Sequence, residues 1–215
     1  MQWCNNRGMT QAPVSLRERK KAHTWTVIHE TAAELVLERG LERTTVEAVA
    51  EAACVSPRTF FNYFPSKEDA VLGLRAPALD PALLEGFSLD RDVLEQVSRL
   101  LLAVARSAHA GGDAQRRREL MGRYPHLAQR RRELMSQAED LVHRAVTHLL
   151  AEHPAWSAGV AGHDVAEAAR MLVMLAGVPL RFALTPGGAA AAAAPEAPDL
   201  APAFRLFYDL QRNLS

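Results

Sequence analysis

Apolar residues recur every three or four positions along most of the chain, which is the spacing of one face of an α-helix. A clear example is the stretch 93–104, where valine and leucine occupy positions 93, 97, 100, 101 and 104. The sequence lacks the sustained apolar–polar alternation of strands and the Asn-Gly or Asp-Gly pairs of tight hairpins. The pattern predicts an all-α protein of about nine helices.

Glycine and proline mark where these helices end. Gly40 is a natural stop for the first helix, and Pro179 is expected to kink or end the eighth. Two prolines and a glycine between residues 76 and 88 predict a boundary between domains 15–75 and 76–215. Residues 185–202, rich in Gly, Ala and Pro, are predicted to be a linker. The predicted helices are 15–39, 44–53, 56–64, one beginning at 66, 89–109, 114–124, 126–152, 163–184 and 203–214.

Residues 44–64 have the pattern of two short helices joined by a tight turn. Thr44 to Glu47 has the form of a capping box, and Ser56 followed by Pro57 is a typical helix start. Phe60 and Phe64 lie four positions apart and therefore on one face, where they would hold the second helix against the core. The opposite face then carries side chains that bond phosphates and base edges, which predicts a helix-turn-helix whose second helix enters the major groove of DNA.

The segment 44–68 resembles the N-terminal signature of the TetR family. The apolar spacing, the turn at Cys54, the aromatic cluster and the trailing lysine occur in the family's order. The resemblance implies a three-helix DNA-binding domain followed by a helical ligand-binding and dimerisation domain. It also implies the DNA-contacting residues Thr45, Ser56, Arg58, Thr59, Phe61, Asn62, Tyr63 and Lys67.

Two positions depart from the family pattern. Many members carry Tyr where this chain has Phe61, so a hydroxyl contact is lost and stacking or methyl contact remains. Many carry Gly where this chain has Cys54, so the cysteine must adopt a turn geometry that Gly adopts more easily. Whether Cys54 has a redox role does not follow from the pattern.

The segment 171–178 is apolar around its whole circumference, so this helix needs cover on two sides. Members of the TetR family form a four-helix dimer interface from the last two helices of each subunit. The resemblance therefore implies a homodimer, and the alternative is a purely intramolecular core. The predicted interface residues are Val165, Ala168, Ala169, Leu172, Ala176, Phe204, Phe207 and Leu214.

A ligand pocket is expected between the middle helices, because methionine and aromatic side chains suit an adaptable apolar site. For each residue the alternative is an ordinary place in the core. The candidate lining residues are Phe87, Leu101, Tyr124, Leu141, Trp156, Met171, Met174 and Phe182.

The Arg-rich stretches 116–118 and 130–132 flank Tyr124-Pro125. This region is similar to one in acyl-CoA-responsive TetR-like regulators, where arginines would meet the phosphates of a CoA headgroup. The alternative is a solvated basic face that pairs with Glu119 and Glu133. The effector is accordingly expected to be an acyl-CoA or another apolar compound.

Composition limits which partners, cofactors and cellular location we expect for the protein. Hydrophobic residues make up 48% of the 215 positions and the formal net charge is zero, so nucleic-acid contacts must come from a local surface. The two cysteines lack metal-ligand spacing, and neither a metal nor a cofactor is expected. Residues 1–13 have no apolar signal-peptide core, and the longest apolar run, 171–180, is half of a membrane span. A cytoplasmic location is expected.

The sequence also lacks a Gly-rich phosphate loop, a nucleophile elbow and a zinc-protease motif, so we expect no enzymatic activity. The resemblance implies a ligand-responsive transcriptional regulator, most often a repressor released from a pseudo-palindromic operator by a small apolar molecule. The alternative is a helical adaptor that binds protein and not DNA.

Overall fold

The computed structural model describes residues 15–90, 92–109, 114–184 and 200–214. These residues form ten helices and no strands, which confirms the predicted all-α fold. The chain divides into two compact units, residues 1–73 and 74–215. No helix of the described residues is long and apolar enough to cross a membrane.

The first unit contains four helices, and a serine or threonine caps the amino end of each. The helices are α1 (Leu16–Arg39), α2 (Val46–Ala52), α3 (Pro57–Phe61) and α4 (Lys67–Leu72), capped in turn by Ser15, Thr45, Ser56 and Ser66. Each cap hydroxyl accepts a hydrogen bond from a backbone N–H of the first turn, which satisfies a donor that the helix cannot pair internally.

Aromatic packing between α1 and the segment 60–64 forms the centre of this unit. Phe60 and Phe64 are fully buried, and the ring of Phe64 lies 5.1 Å from that of Trp25 on α1. On the next turn of α1, Nδ1 of the buried His29 lies 2.7 Å from the carbonyl oxygen of Ala70 on α4. These contacts hold α3 and α4 against α1.

The second unit contains six helices around one apolar core. They are α5 (Ala82–Glu85), α6 (Val93–Ser107), α7 (Ala114–Arg123), α8 (Pro125–Glu152), α9 (Val165–Leu184) and α10 (Ala201–Leu214). The core joins the inner faces of α6, α8, α9 and α10. At its centre the hydroxyl of buried Ser98 on α6 donates to the carbonyl oxygen of Ala176 on α9 at 2.6 Å.

Several predicted boundaries were wrong. Thr45 and not Thr44 caps α2, because the Thr44 hydroxyl donates instead to the carbonyl oxygen of Gly40. The segment 76–88 contains the short helix α5. Pro179 lies inside α9 and does not end it, so the helix continues to Leu184, the predicted boundary, although proline cannot donate an amide hydrogen bond. The part of the predicted linker at 185–199 lies outside the described residues.

The turn between α2 and α3 places a cysteine in a left-handed conformation. Cys54 has a φ of 54° and an exposed side chain. A side chain in this region crowds the backbone, at a cost of about 1 kcal/mol relative to glycine.

Cys54→Gly is therefore expected to raise the free energy of unfolding by about 1 kcal/mol, since glycine adopts positive φ without that crowding. Urea denaturation measures this change. Cys54→Ala is the control, because it removes the thiol and keeps the Cβ, and it should stay within about 0.5 kcal/mol of the wild type. Equal stability of the Gly and Ala variants would show that the turn is not strained.

Candidate functional site

The outward side of α3 is polar apart from one aromatic ring. The buried ring of Phe60 faces the core, and the side chains of Arg58, Phe61 and Asn62 are exposed to solvent. Tyr63 is half-buried in the hydrogen-bonded turn that continues α3 as far as Phe64. The predicted DNA-contacting side chains of this segment thus lie on its accessible surface.

Three hydroxyls surround the amino ends of α2 and α3. The Thr45 oxygen accepts from the Ala48 amide at 3.2 Å, so its own hydrogen stays available to an outside acceptor. The hydroxyls of Ser56 and Thr59 lie 2.8 Å apart, and this contact uses one of their two hydrogens. The remaining O–H groups are suited to donate to phosphate oxygens.

Phe61 is a large apolar side chain that remains 56% exposed. Its ring packs edge-on against Phe60, with centroids 5.5 Å apart and planes at 86°. This contact holds the ring at the surface of α3 beside Arg58 and Asn62. An exposed ring among polar side chains is suited to contact the methyl group of thymine.

The ammonium group of Lys67 is already bound within the unit. Its Nζ donates to the carbonyl oxygens of Leu41 at 2.8 Å and Thr44 at 3.0 Å, in the connection between α1 and α2. A lysine has three N–H donors, and the third has no partner among the described residues. Lys67 therefore holds the α1–α2 connection in place, and its predicted phosphate contact depends on the third donor.

Helix α9 has an inner and an outer apolar face, as its composition predicted. The inner face is buried in the core of the second unit and consists of Ala169, Val173, Ala176, Leu180 and Ala183. The outer face is exposed and consists of Met171, Met174, Leu175, Val178 and Phe182. We call these five exposed residues the outer α9 face.

This arrangement corrects the predicted dimer interface. Ala169, Ala176 and Phe204 are at most 4% exposed, because they pack inside the unit, where small residues let α6 approach α9 closely. Val165, Ala168 and Leu172 are partly buried against the same core, and Phe207 is half-buried beside Tyr208. Of the predicted set, Leu214 is the most exposed, at 86%.

Helix α10 adds a second exposed apolar stripe. Leu206, Leu210 and Leu214 lie four residues apart and are 43%, 53% and 86% exposed. The Tyr208 hydroxyl donates to a carboxylate oxygen of Asp92 at 2.6 Å, which ties α10 to the start of α6. Burial, and then this hydrogen bond, raise the pKa of the Tyr208 phenol.

A groove of about 540 Å³ opens between the α8–α9 loop and the first turns of α9. Its apolar wall includes Trp156, Val160, Met171, Leu172 and Met174, and its polar lining includes His163, Glu167 and Arg170. We call this site the α9 groove. Its volume lies within the range of small-molecule pockets.

The eight candidate pocket residues do not line one cavity. Trp156, Met171 and Met174 meet in the α9 groove, and Phe87 lines a separate cavity of about 500 Å³ beside α5 and α6. Leu101 is buried in the core and Leu141 packs against it. Tyr124 precedes α8 under the guanidinium of Arg123, and Phe182 is exposed on the outer α9 face. The two described cavities therefore bring together three of the eight residues, in the α9 groove.

The Arg-rich region spans α7 and the start of α8. Arg130 forms an ion pair with Glu133 at 3.3 Å, as the solvated-face interpretation predicted for this residue. Burial lowers the pKa of nearby His109, a hydrogen bond to Ala105 partly offsets this, and Arg117 and Arg131 lower it further. Among the described residues, no group of three His, Cys, Asp or Glu side chains is arranged to hold a metal ion.

Sequence reasoning missed Arg170 and the loop that faces it across the α9 groove. Ala161 and Gly162 both have positive φ, as in a tight hairpin turn, and Val160 and His163 pair through two backbone hydrogen bonds. Gly162 was the available signal, but an Ala-Gly pair is a weak hairpin marker beside Asn-Gly.

Comparison with known proteins finds a family match within the first unit. Residues 28–72 match the family model described as bacterial regulatory proteins, tetR family. The chain is also 48% identical over 69 residues to the HTH-type transcriptional regulator TcmR of Streptomyces glaucescens. That match spans 32% of this chain and 30% of TcmR, so it does not extend to most of either protein.

Solved structures with a similar helical layout include NalD of Pseudomonas aeruginosa, the secondary repressor of the MexAB-OprM multidrug efflux pump. It has 21% identity and a TM-score of 0.45, and the match covers 87% of this chain and 96% of NalD. FadR of Thermus thermophilus in complex with lauroyl-CoA has 25% identity and a TM-score of 0.40, covering 86% of this chain and 92% of FadR. With TM-scores below 0.5, these likenesses add no support for a particular function.

Lys67→Met is expected to lower the free energy of unfolding by about 2 kcal/mol, because the buried carbonyls of Leu41 and Thr44 lose a charged donor. Chemical denaturation measures the loss. Lys20→Met, at an exposed position of α1, should change stability by less than about 0.5 kcal/mol. The internal role of Lys67 is refuted if both variants are as stable as the wild type.

Proposed function

We propose that the chain, whose N-terminal segment matches the TetR family of bacterial regulatory proteins, is a dimeric DNA-binding regulator of transcription. It represses by occupying a pseudo-palindromic operator in the cytoplasm, and a small apolar effector releases it. The matched family is one of regulatory proteins, so no catalytic activity is proposed.

The observation that carries this proposal is the division of α3 into a buried and an accessible side. Phe60 is buried in the core, whereas Arg58 and Asn62 face solvent, and no described residue holds their side chains inside the unit. A short helix that presents such side chains beside capped helix ends is suited to a major groove. The amide groups and hydroxyls at Thr45 and Ser56 are suited to the flanking phosphates.

Dimerisation is proposed to use the outer α9 face together with the exposed leucines of α10. Both surfaces are apolar and exposed within one subunit, and covering them removes apolar area from water. A fixed distance between two DNA-binding units would allow one dimer to contact two half-sites. An effector that binds best to a dimer with a different distance between its DNA-binding units would weaken both half-site contacts together.

The direct test is capture of genomic DNA fragments by the purified chain, followed by affinity measurements at several salt concentrations. The proposal expects a few fragments to bind tightly, with affinity that falls as salt rises because phosphate contacts release counterions. If no duplex binds and the chain instead captures a protein partner, the adaptor alternative replaces it.

Arg58→Ala is expected to cost about 1–3 kcal/mol of operator binding and to relax the base preference at one position of each half-site, because a bidentate guanidinium contact reads one base. Fluorescence anisotropy with the operator and its single-base variants measures both effects. Arg144→Ala, at an exposed position of α8, is the control and should bind normally. Unchanged affinity and preference in the Arg58 variant would remove Arg58 from the site.

Val178→Asp is expected to raise the dimer dissociation constant at least about tenfold, because association would then bury a carboxylate. Sedimentation velocity measures the dimer fraction. Val178 is 46% exposed, so the variant should fold, as circular dichroism will show. Leu83→Asp is the matched control, at a position that is 44% exposed on α5. A dimer that tolerates the Val178 change would exclude the outer α9 face from the interface.

A further inference from the structure

The α9 groove has a rigid wall on the side of the α8–α9 loop. The amide of Val160 donates to the carbonyl oxygen of His163 at 3.0 Å, and the amide of His163 donates back at 2.9 Å. Gly159 has a φ of 79°, and a Cβ there would lie 2.0 Å from the His163 oxygen. Only glycine fits this position, and the two hydrogen bonds between Val160 and His163 close the turn beside it.

Two of the polar groups that line the groove pair with the protein itself. The Glu167 carboxylate accepts from the amide of Asp164 at 3.2 Å and lies 3.3 Å from Nδ1 of His163. It therefore completes the capping of α9 and contacts the histidine at the same time. Neither the Glu167 carboxylate nor the His163 ring requires a ligand as a hydrogen-bond partner.

Arg170 differs from these two groups. Arg170 lines the groove with an exposed side chain and has no ion pair or hydrogen bond with any described residue. Farther along the same helix, Arg181 pairs with Glu139 on α8. The groove thus combines an apolar wall of Trp156, Met171 and Met174 with one cation that has no internal counterion.

We infer that the α9 groove binds a small molecule with an anionic group on a rigid apolar body, the anion meeting Arg170 and the apolar body packing on Trp156 and the methionines. The inference rests on the proposed function, under which this molecule is the effector. An apolar surface from a second copy of the chain would contact Met171 and Met174 but would offer no anion to Arg170. An anionic ligand with an apolar body would cover the apolar wall and pair with the Arg170 charge at the same time.

The site lies beside the outer α9 face, because Met171 and Met174 belong to both surfaces. A ligand in the groove therefore contacts side chains that border the proposed dimer interface. An effector bound in the groove would therefore change how two subunits pack, because it would hold Met171 and Met174, which the proposed interface also contacts.

The test uses two fluorescent probes that share an apolar body and differ in charge. Anilinonaphthalenesulfonate carries a sulfonate, and phenylnaphthylamine carries none. The purified full chain is titrated with each, and energy transfer from Trp156 is taken as the difference between wild type and Trp156→Phe. Arg170→Gln should weaken sulfonate-probe binding about tenfold, since it removes a charge-assisted contact. The same variant should leave the neutral probe unchanged, and the control Arg144→Gln should leave both unchanged.

Three results would overturn the inference. The first is equal sulfonate-probe affinity in the wild type and the Arg170→Gln variant, and the second is equal or tighter binding of the neutral probe. The third is transfer from Trp156 that appears only in the monomeric Val178→Asp variant, which would mean that a second copy covers the groove. Operator binding without a probe is measured separately. If the chain binds DNA but fails these tests, only the inference is overturned. If the chain passes these tests but does not bind DNA, only the proposed function is overturned.

Discussion

The burial of Phe60 and Phe64 against α1 is the constraint on which the first unit depends. The rings of Phe60 and Phe64 lie 6.0 Å apart, and Trp25 packs on Phe64, so the segment 57–64 has one rotational setting relative to α1. That setting directs Arg58 and Asn62 outward and leaves Phe61 at the surface. A surface that meets a base edge must be held precisely, and here the apolar side of the same short segment holds it.

Helix α9 of the second unit also has one face that packs in the core and another that remains accessible. Its inner face packs against α6 and α8, and its outer face and first turns provide the proposed dimer surface and ligand groove. The Ser98 hydroxyl reaches the Ala176 carbonyl because alanine is small enough for α6 to come close. One helix therefore links the core, the proposed contact between subunits and the proposed effector site, which is the arrangement that a ligand-controlled switch requires.

Local patterns predicted the fold well, and long-range contacts account for what they missed. The apolar spacing predicted most helices, and the pair Phe60 and Phe64 indicated the inner side of α3 correctly. On α9 the apolar residues surround the helix, so periodicity cannot distinguish the inner face from the outer one. The partners of Lys67 lie 23 and 26 residues earlier in the chain, at a separation that no local pattern reports. Thr44 and Thr45 are adjacent, and the sequence allows either to cap α2. The Thr44 hydroxyl donates to the Gly40 carbonyl oxygen, so Thr45 caps the helix.

The central claim is that the outward side of α3 contacts the bases of a DNA duplex, and site-specific photocrosslinking tests it most directly. A benzophenone amino acid replaces Phe61, whose side chain is already exposed, and the protein is irradiated with its captured genomic duplex. The account predicts crosslinks to bases within two symmetry-related half-sites, and none when the same group replaces exposed Leu83 on α5. A bound duplex that never crosslinks from position 61, or crosslinks equally from position 83, would contradict it.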